Sequence, residues 1–322
     1  MNAKIEFIKN IPNEQTLKKG LHHLVIIDSR STKYPFEALL KNKLKRAGKK
    51  LADLSKTPIT TELDSGGIIS WIGHSRDLSP FQMHTLIRKG FNILSQDKPT
   101  KISITFLPKD IDDSWVNACV YVSLVNSQVL LNLKKGAKNV ALKNLILAGI
   151  SKCDLSKTLA LVNGNTLTRN LTITPPNNLT PTIYKAKVKQ LAKQYKWAYK
   201  DYNMTQLKKL GAGAFVAVGQ GSEPEDAVIV HLKHTSKNSK KTIALVGKGI
   251  CFDTGGHNLK PAKYMSGMHE DMNGSAVVLG IMQAATEAKL PVNIDCWLAI
   301  AQNHIGPKAY KQNDVVTALN GL

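Results

Sequence analysis

An alternation that runs the length of the chain constrains the fold most: short apolar runs of strand length are separated by longer segments with one apolar face. HHLVIIDS (22–29) reads as a buried strand, and YPFEALLKNKLKRAG (34–48) as an amphipathic helix. SGGIISWIG (65–73) suggests a strand after a glycine turn, PFQMHTLIRKGFNILS (80–95) a helix, and KISITFLP (101–108) and ACVYVSLVN (118–126) two more strands. Past a segment that could form a linking helix weakened by its glycine (151–171), a proline-rich break leads into a helix capped by Thr180 or Thr182. AFVAVGQGS (214–222), DAVIVHLKH (226–234) and KTIALVGKG (241–249) read as strands, and NGSAVVLGIMQAATEAKL (273–290) as a helix closed before Pro291. VNIDCWLAIAQN (292–303) is a near-continuous apolar strand of the kind a sheet covered on both faces uses. The expectation is an α/β protein of two domains, 1–150 and 151–322, each long enough to bury its own core.

Composition narrows the class further. No apolar run reaches about 18 residues, so a membrane span is not expected. The start, MNAKIEFIKNIPNEQ, has acids and no long apolar core, unlike a secretory signal. Cys119, Cys153, Cys251 and Cys296 show no C-x-x-C spacing, which suits a reduced, cytoplasmic chain. The net charge is +21, with 12 basic and 4 acidic groups in residues 1–50, and 9 and 1 in residues 151–200. Residues 251–300 carry 3 basic and 5 acidic groups, so the positive charge avoids this region. KNKLKRAGKKL (41–51) reads either as a solvated helix or as a patch for DNA or another anionic surface; no aromatic residues interleave with it.

The chemistry concentrates in GKGICFDTGG (247–256) and the residues after it. If KTIALV is a buried strand, Lys248 sits where that strand ends, and a lysine beside so much apolar chain needs a use for its nitrogen. Asp253 lies in a double-glycine turn, and Asp271 just before the helix at 273. Two carboxylates and an amine converging there would suit hard divalent cations. A lysine ligates only as the neutral amine, a form that burial and a neighbouring dication both favour. Lys260 supplies a second cation, placed to stabilise an oxyanion. The plainer reading of the same residues is a salt bridge and a turn. Against it, the four polar positions fall within 24 residues around one glycine-rich turn.

VGKGICFDTGGHNLKPAKYMSGMHEDMNGSAVVLG (246–280) resembles the signature region of the cytosolic leucyl aminopeptidase family, the two-metal M17 peptidases. There the pattern runs V-G-K-G-(I/L)-T-F-D-S-G-G, then L-K-P, then D-M-x-G-(A/S)-A. TRNLTITPPNNLTP, LGAGAFVAVGQGSEPE and IGPKAYKQNDVVTALNG resemble three further family segments, so the likeness covers about residues 165–322. It implies an N-terminal α/β domain and an α/β/α catalytic domain with a mixed sheet, usually assembled as a homo-hexamer. It also implies that Lys248, Asp253 and Asp271 ligate metal, with Asp253 bridging two ions, and that Lys260 is the catalytic lysine. Met268 falls where the family lines the pocket for the substrate's first side chain, core filling being the alternative. The implied reaction is hydrolysis of N-terminal residues from peptides, using two divalent ions (Zn or Mn, or else Mg or Co) and bicarbonate as proton shuttle.

The sequence departs from the family pattern in several places. It ends at Leu322, before the N-T-D-A-E-G-R signature that supplies further ligands and the bicarbonate-holding arginine. The expectation is therefore a truncated chain, either a fragment of an active enzyme or an inactive paralogue that binds DNA or a partner. Its half-built sheet is expected to aggregate through an apolar edge. Cys251 replaces a threonine and reads as a small buried filler rather than a soft ligand. Gln302 stands where the family commonly has glutamate, and Asn273 where it has a small residue. His257 and His269 flank the site without family precedent as ligands, and His231 and His234 read as surface groups.

Overall fold

The structure, a computed structural model, describes residues 3–17, 21–28, 30–31, 33–109, 111–136, 140–237 and 239–322. The chain divides into two compact units, residues 1–159 and 160–322.

In the first unit the elements are β1 (Lys4–Ile8), α1 (Glu14–Leu17), β2 (His22–Ile27), α2 (Glu37–Arg46), β3 (Ile59–Glu62), β4 (Ile68–Gly73), α3 (Pro80–Ser95), β5 (Lys101–Phe106), α4 (Asp113–Asn126) and β6 (Asn144–Ala148). The strands form one sheet in the order β1-β6-β5-β2-β4-β3. Neighbours are parallel except β3, which runs antiparallel to β4. Every residue of β2 is buried, as a central parallel strand requires. α3 starts where its sequence dictates: Ser79 Oγ accepts from Gln82 N, Gln82 Oε1 accepts from Ser79 N, and Pro80 opens the first turn. Residues 118–126, expected as a strand, belong instead to helix α4. Asp112 caps that helix by accepting from Trp115 N, and it is buried on so many sides that no 3.6-residue stripe shows in the sequence.

The second unit contains α5, which begins just before it (Ser156–Thr172), then α6 (Pro181–Tyr195), β7 (Ala198–Asn203), α7 (Met204–Lys209), α8 (Gly213–Gly219), β8 (Val228–His234), β9 (Thr242–Asp253), α9 (Ala262–Met265), α10 (Asn273–Glu287) and β10 (Asn293–Asn303). Its sheet is mixed, in the order β7-β8-β10-β9. β8 is antiparallel to both β7 and β10, while β9 and β10 run parallel. Thr180 caps α6 as expected. One sheet face meets α6 and α10 through Tyr184, Val188, Val230, Leu232, Leu279, Met282, Cys296 and Leu298. Residues 214–222, also expected as a strand, contain α8, whose Phe215, Val216 and Val218 pack with Ile250 and Ala301 on a small separate cluster.

β10 is not covered equally on both faces. Ile294, Cys296, Leu298 and Ile300 are buried, while the alternate residues from Asn293 to Ala299 are half-buried. β9 is more open still, with Ile243 50% and Val246 73% exposed. The KTIALV run is thus an edge strand rather than a buried one, pairing only with β10 among the described residues. Unpaired edges with apolar side chains template association. The chain is therefore expected to self-associate with rising concentration in sedimentation velocity, and Val246→Lys to shift it toward monomer. A wild-type chain that stays monomeric throughout would contradict this.

Candidate metal centre

β9 carries two of the four candidate residues, and its glycines explain how. The strand does not end at Lys248; it continues to Asp253. A Cβ on Gly247 would lie 2.5 Å from Ser275 Cα, and one on Gly249 would lie 3.1 Å from Ser275 Oγ. Only a side-chain-free strand lets the first turn of α10 come this close. Successive strand residues face opposite ways, so Lys248 turns away from this contact, and its side chain is 60% exposed. Its Nζ lies 2.9 Å from Asp271 Oδ2, on the turn that leads into α10. Asp271 Oδ2 is shut off from solvent and takes no well-aligned hydrogen bond.

Asp253 is placed by an irregularity. From Asn293↔Thr242 to Ala301↔Ile250, β10 and β9 pair one for one; the next pair is Asn303↔Asp253, so β9 carries one extra residue. Such a bulge re-aims the side chains beyond it. Thr254 N and Oγ1 both donate to Asn303 O, each at 2.9 Å, and the chain then turns through Gly255 (φ +89°). A side chain at Gly255 would both strain that φ and meet Asn258 O at 2.4 Å. Lys260 N closes the loop onto Thr254 O at 2.9 Å.

The loop brings Lys260 Nζ to 2.6 Å from Asp253 Oδ2 and 3.0 Å from Met268 Sδ. Asp253 Oδ1 accepts from Gly255 N at 2.9 Å and Asn303 Nδ2 at 2.7 Å. Burial pushes the Asp253 carboxyl up, but the hydrogen bonds from Lys260, Gly255 and Asn303 outweigh it and hold the group below the ordinary aspartate value. Met268 opens the single 3-10 turn Met268–Glu270 that leads to Asp271, so it links the two ion pairs. It is half-buried beside the lysine rather than part of the core.

The remaining sequence candidates separate clearly. Cys251 is buried, and burial pushes its thiol up to about 12, which suits a filler and not a ligand. His257 Nε2 pairs with Gly306 O at 2.9 Å, and His269 lies 4.0 Å from Glu270. His231, expected at the surface, is half-buried: its ring stacks on Trp297 at 4.0 Å and bonds Asp295 at 2.8 Å. Burial lowers the pKa of His234. Gln302 contributes its carbonyl, which accepts from Ser222 Oγ. Glu225 clamps Lys208 and Lys308, whose hydrogen bonds draw its carboxyl down to about 2. Among the described residues no three His, Cys, Asp or Glu side chains cluster, so the donor set is two carboxylates with lysine amines. Asn303 was missed; its signal is a polar end to the apolar run 292–303.

Residues 166–322 match the catalytic domain of the cytosol aminopeptidase family. A probable cytosol aminopeptidase of Stutzerimonas stutzeri (strain A1501) is 40% identical over 195 residues, covering 58% of this chain and 39% of that protein. The chain therefore spans well under half the length of this curated relative. A tomato leucine aminopeptidase mutant superposes with a TM-score of 0.77 at 22% identity, covering 99% of this chain and 67% of that one. The bottromycin maturation enzyme BotP in complex with Mn gives 0.73 at 20% identity, covering 94% of this chain and 64% of that one. No helix among the described residues is long and apolar enough to cross a membrane. Residues 166–322 thus match the cytosol aminopeptidase catalytic domain in sequence, and nearly the whole chain shares the fold of the leucine aminopeptidase structure.

Proposed function

We propose that the chain carries part of a divalent-metal site that hydrolyses N-terminal residues, leucine among them, from peptides. Lys248, Asp253 and Asp271 would hold the metal, and Lys260 would act on the substrate. The observation that carries this reading is the pairing of each carboxylate with a lysine amine, Asp271 with Lys248 at 2.9 Å and Asp253 with Lys260 at 2.6 Å, with Asp271 Oδ2 buried. The Lys248 ammonium is the cation that faces the buried Asp271 Oδ2 here, and a metal ion would take over that role. Carboxylate oxygens and a neutral amine fit Zn, Mn, Mg or Co, and a structural neighbour is a complex with Mn. When bound, two such ions supply an activated water and Lewis-acid polarisation of the carbonyl.

The protein's own groups do the rest. Lys248 would serve as an amine donor to the metal, exchanging its role as counter-ion of Asp271 for one as donor beside it. Asp253 and Met268 hold Lys260 Nζ where negative charge would develop on the scissile carbonyl oxygen. Met268 offers a soft apolar wall to the substrate's first side chain. Peptide substrates and a cytoplasmic setting come with the reading through relatives named cytosol aminopeptidases, and homo-oligomeric assembly is part of the same proposal.

The test is hydrolysis of leucine p-nitroanilide in Mn²⁺, with the Lys260→Met chain beside the wild type. The variant is expected to lose turnover by roughly 100- to 1,000-fold, the cost of removing one oxyanion donor, while keeping its Mn²⁺ uptake. Equal turnover would remove Lys260 from the reaction. Absence of Mn²⁺ uptake in both chains would remove the metal reading itself.

A further inference from the structure

We infer that Asn303 is a positioning residue for Asp253: its side-chain amide fixes which carboxylate oxygen the site can use. The inference rests on the metal reading above and adds a residue to it from a strand outside the signature segment.

The geometry starts with the bulge. Had β9 and β10 kept their one-for-one register past Ala301↔Ile250, Asn303 would face Phe252; the extra residue sets it opposite Asp253 instead. There Asn303 Nδ2 donates to Asp253 Oδ1 at 2.7 Å, and Gly255 N donates to the same oxygen at 2.9 Å. Two donors occupy both lone pairs of Oδ1, leaving Oδ2, which meets only Lys260 Nζ among these contacts, as the oxygen with spare capacity. The carboxylate can no longer spin about its Cβ–Cγ bond without breaking one of these contacts.

The amide is itself held in one orientation. An acceptor-only carboxylate requires the NH₂ end of Asn303 to face it, which turns Oδ1 toward the loop, where a Cβ on Gly256 would sit 3.1 Å away. The backbone of Asn303 is anchored independently by the two donors of Thr254. Removing the side chain therefore leaves the strand end and the loop tied together. Among near-isosteres only an amide serves: an aspartate would bring a second carboxylate within 2.7 Å of Oδ1, and a leucine would donate nothing.

The test uses the whole chain and two readouts. In the metal-free protein, the Asn303 side-chain NH₂ signal is expected to be shifted downfield and slowed in exchange, and to lose both properties in Asp253→Ala. A freely exchanging amide overturns the inference at once. Calorimetric titration with Mn²⁺ then compares wild type, Asn303→Leu and Asp253→Asn. Asn303→Leu is expected to weaken Mn²⁺ by about 10-fold or more, the usual cost of losing a partner that orients a ligand, with a melting temperature close to wild type. The visible absorption of the Co²⁺-loaded chain should change with it, which a merely structural residue would not cause. Unchanged affinity and spectrum in Asn303→Leu, with wild type binding normally, overturn the positioning role alone. A wild type that binds Mn²⁺ no better than Asp253→Asn overturns the metal reading and this inference with it.

Discussion

Asp253→Asn is expected to end specific divalent-metal uptake while leaving the chain folded. The substitution preserves side-chain volume and an oxygen able to accept from Gly255 N, so the turn at Thr254 to Gly256 keeps its hydrogen bonds. What it removes is the charge facing Lys260 Nζ at 2.6 Å. Loss of a ligating carboxylate should weaken Mn²⁺ by more than about 100-fold, beyond what orienting partners cost. The pH response gives a second, metal-free check. Burial raises the Asp253 pKa, but its hydrogen bonds from Lys260, Gly255 and Asn303 bring it below the ordinary 3.8. A group depressed on folding contributes stability above its unfolded value, and that contribution fades as pH falls through it toward the folded value. Melting temperature should therefore fall less steeply below about pH 4 in Asp253→Asn than in wild type. Calorimetry gives the affinity and thermal melts across acid pH give the slope. Wild-type Mn²⁺ affinity in the variant would show that Asp253 is not a ligand.

Legibility in the sequence followed the range of each signal. α3 was readable to the residue because its start is written locally, in Ser79, Pro80 and Gln82. α4 hid because a helix buried on most sides shows an unbroken apolar run, and α8 because its short run AFVAV looks like a strand. The open face of β9 was invisible for the opposite reason: KTIALV is apolar enough for a core strand, and only the sheet order reveals that it lies at an edge. At the site, Lys248, Asp253, Lys260 and Asp271 stood out because one contiguous segment holds them all. Asn303 lies 50 residues from Asp253 and reaches it through strand pairing with a bulge. Register and bulges are set by packing, so the second half of the carboxylate's support could not be read from spacing.

The largest effect on folding is expected at a position with no chemistry of its own. Gly247→Val should lower stability by roughly 3 kcal/mol, at the upper end of what an overpacked core costs. Its Cβ would start 2.5 Å from Ser275 Cα and 2.7 Å from Val278 Cγ2, and the first of these is backbone, which no rotamer change can relieve. Either α10 lifts from β9 or the strand bends away, and both movements pull Asp271 from Lys248. The helix is also anchored from below: Tyr184 Oη and Ser275 Oγ share a buried hydrogen bond at 2.8 Å, and Ser275 Oγ donates to Met272 O at 2.7 Å. Lifting α10 would break that buried network, so the helix has no cheap direction in which to yield. Urea denaturation followed by circular dichroism should show a lower midpoint with an unchanged slope, the mark of lost stability without a change in exposed surface. Mn²⁺ titration should show weaker binding in the fraction that remains folded, because the lysine and the aspartate are no longer held together. A variant as stable as wild type would mean that α10 does not press on β9 at this glycine. The spacing of Gly247, Lys248 and Gly249 would then need a reason other than the close approach that sets Asp271 beside the lysine.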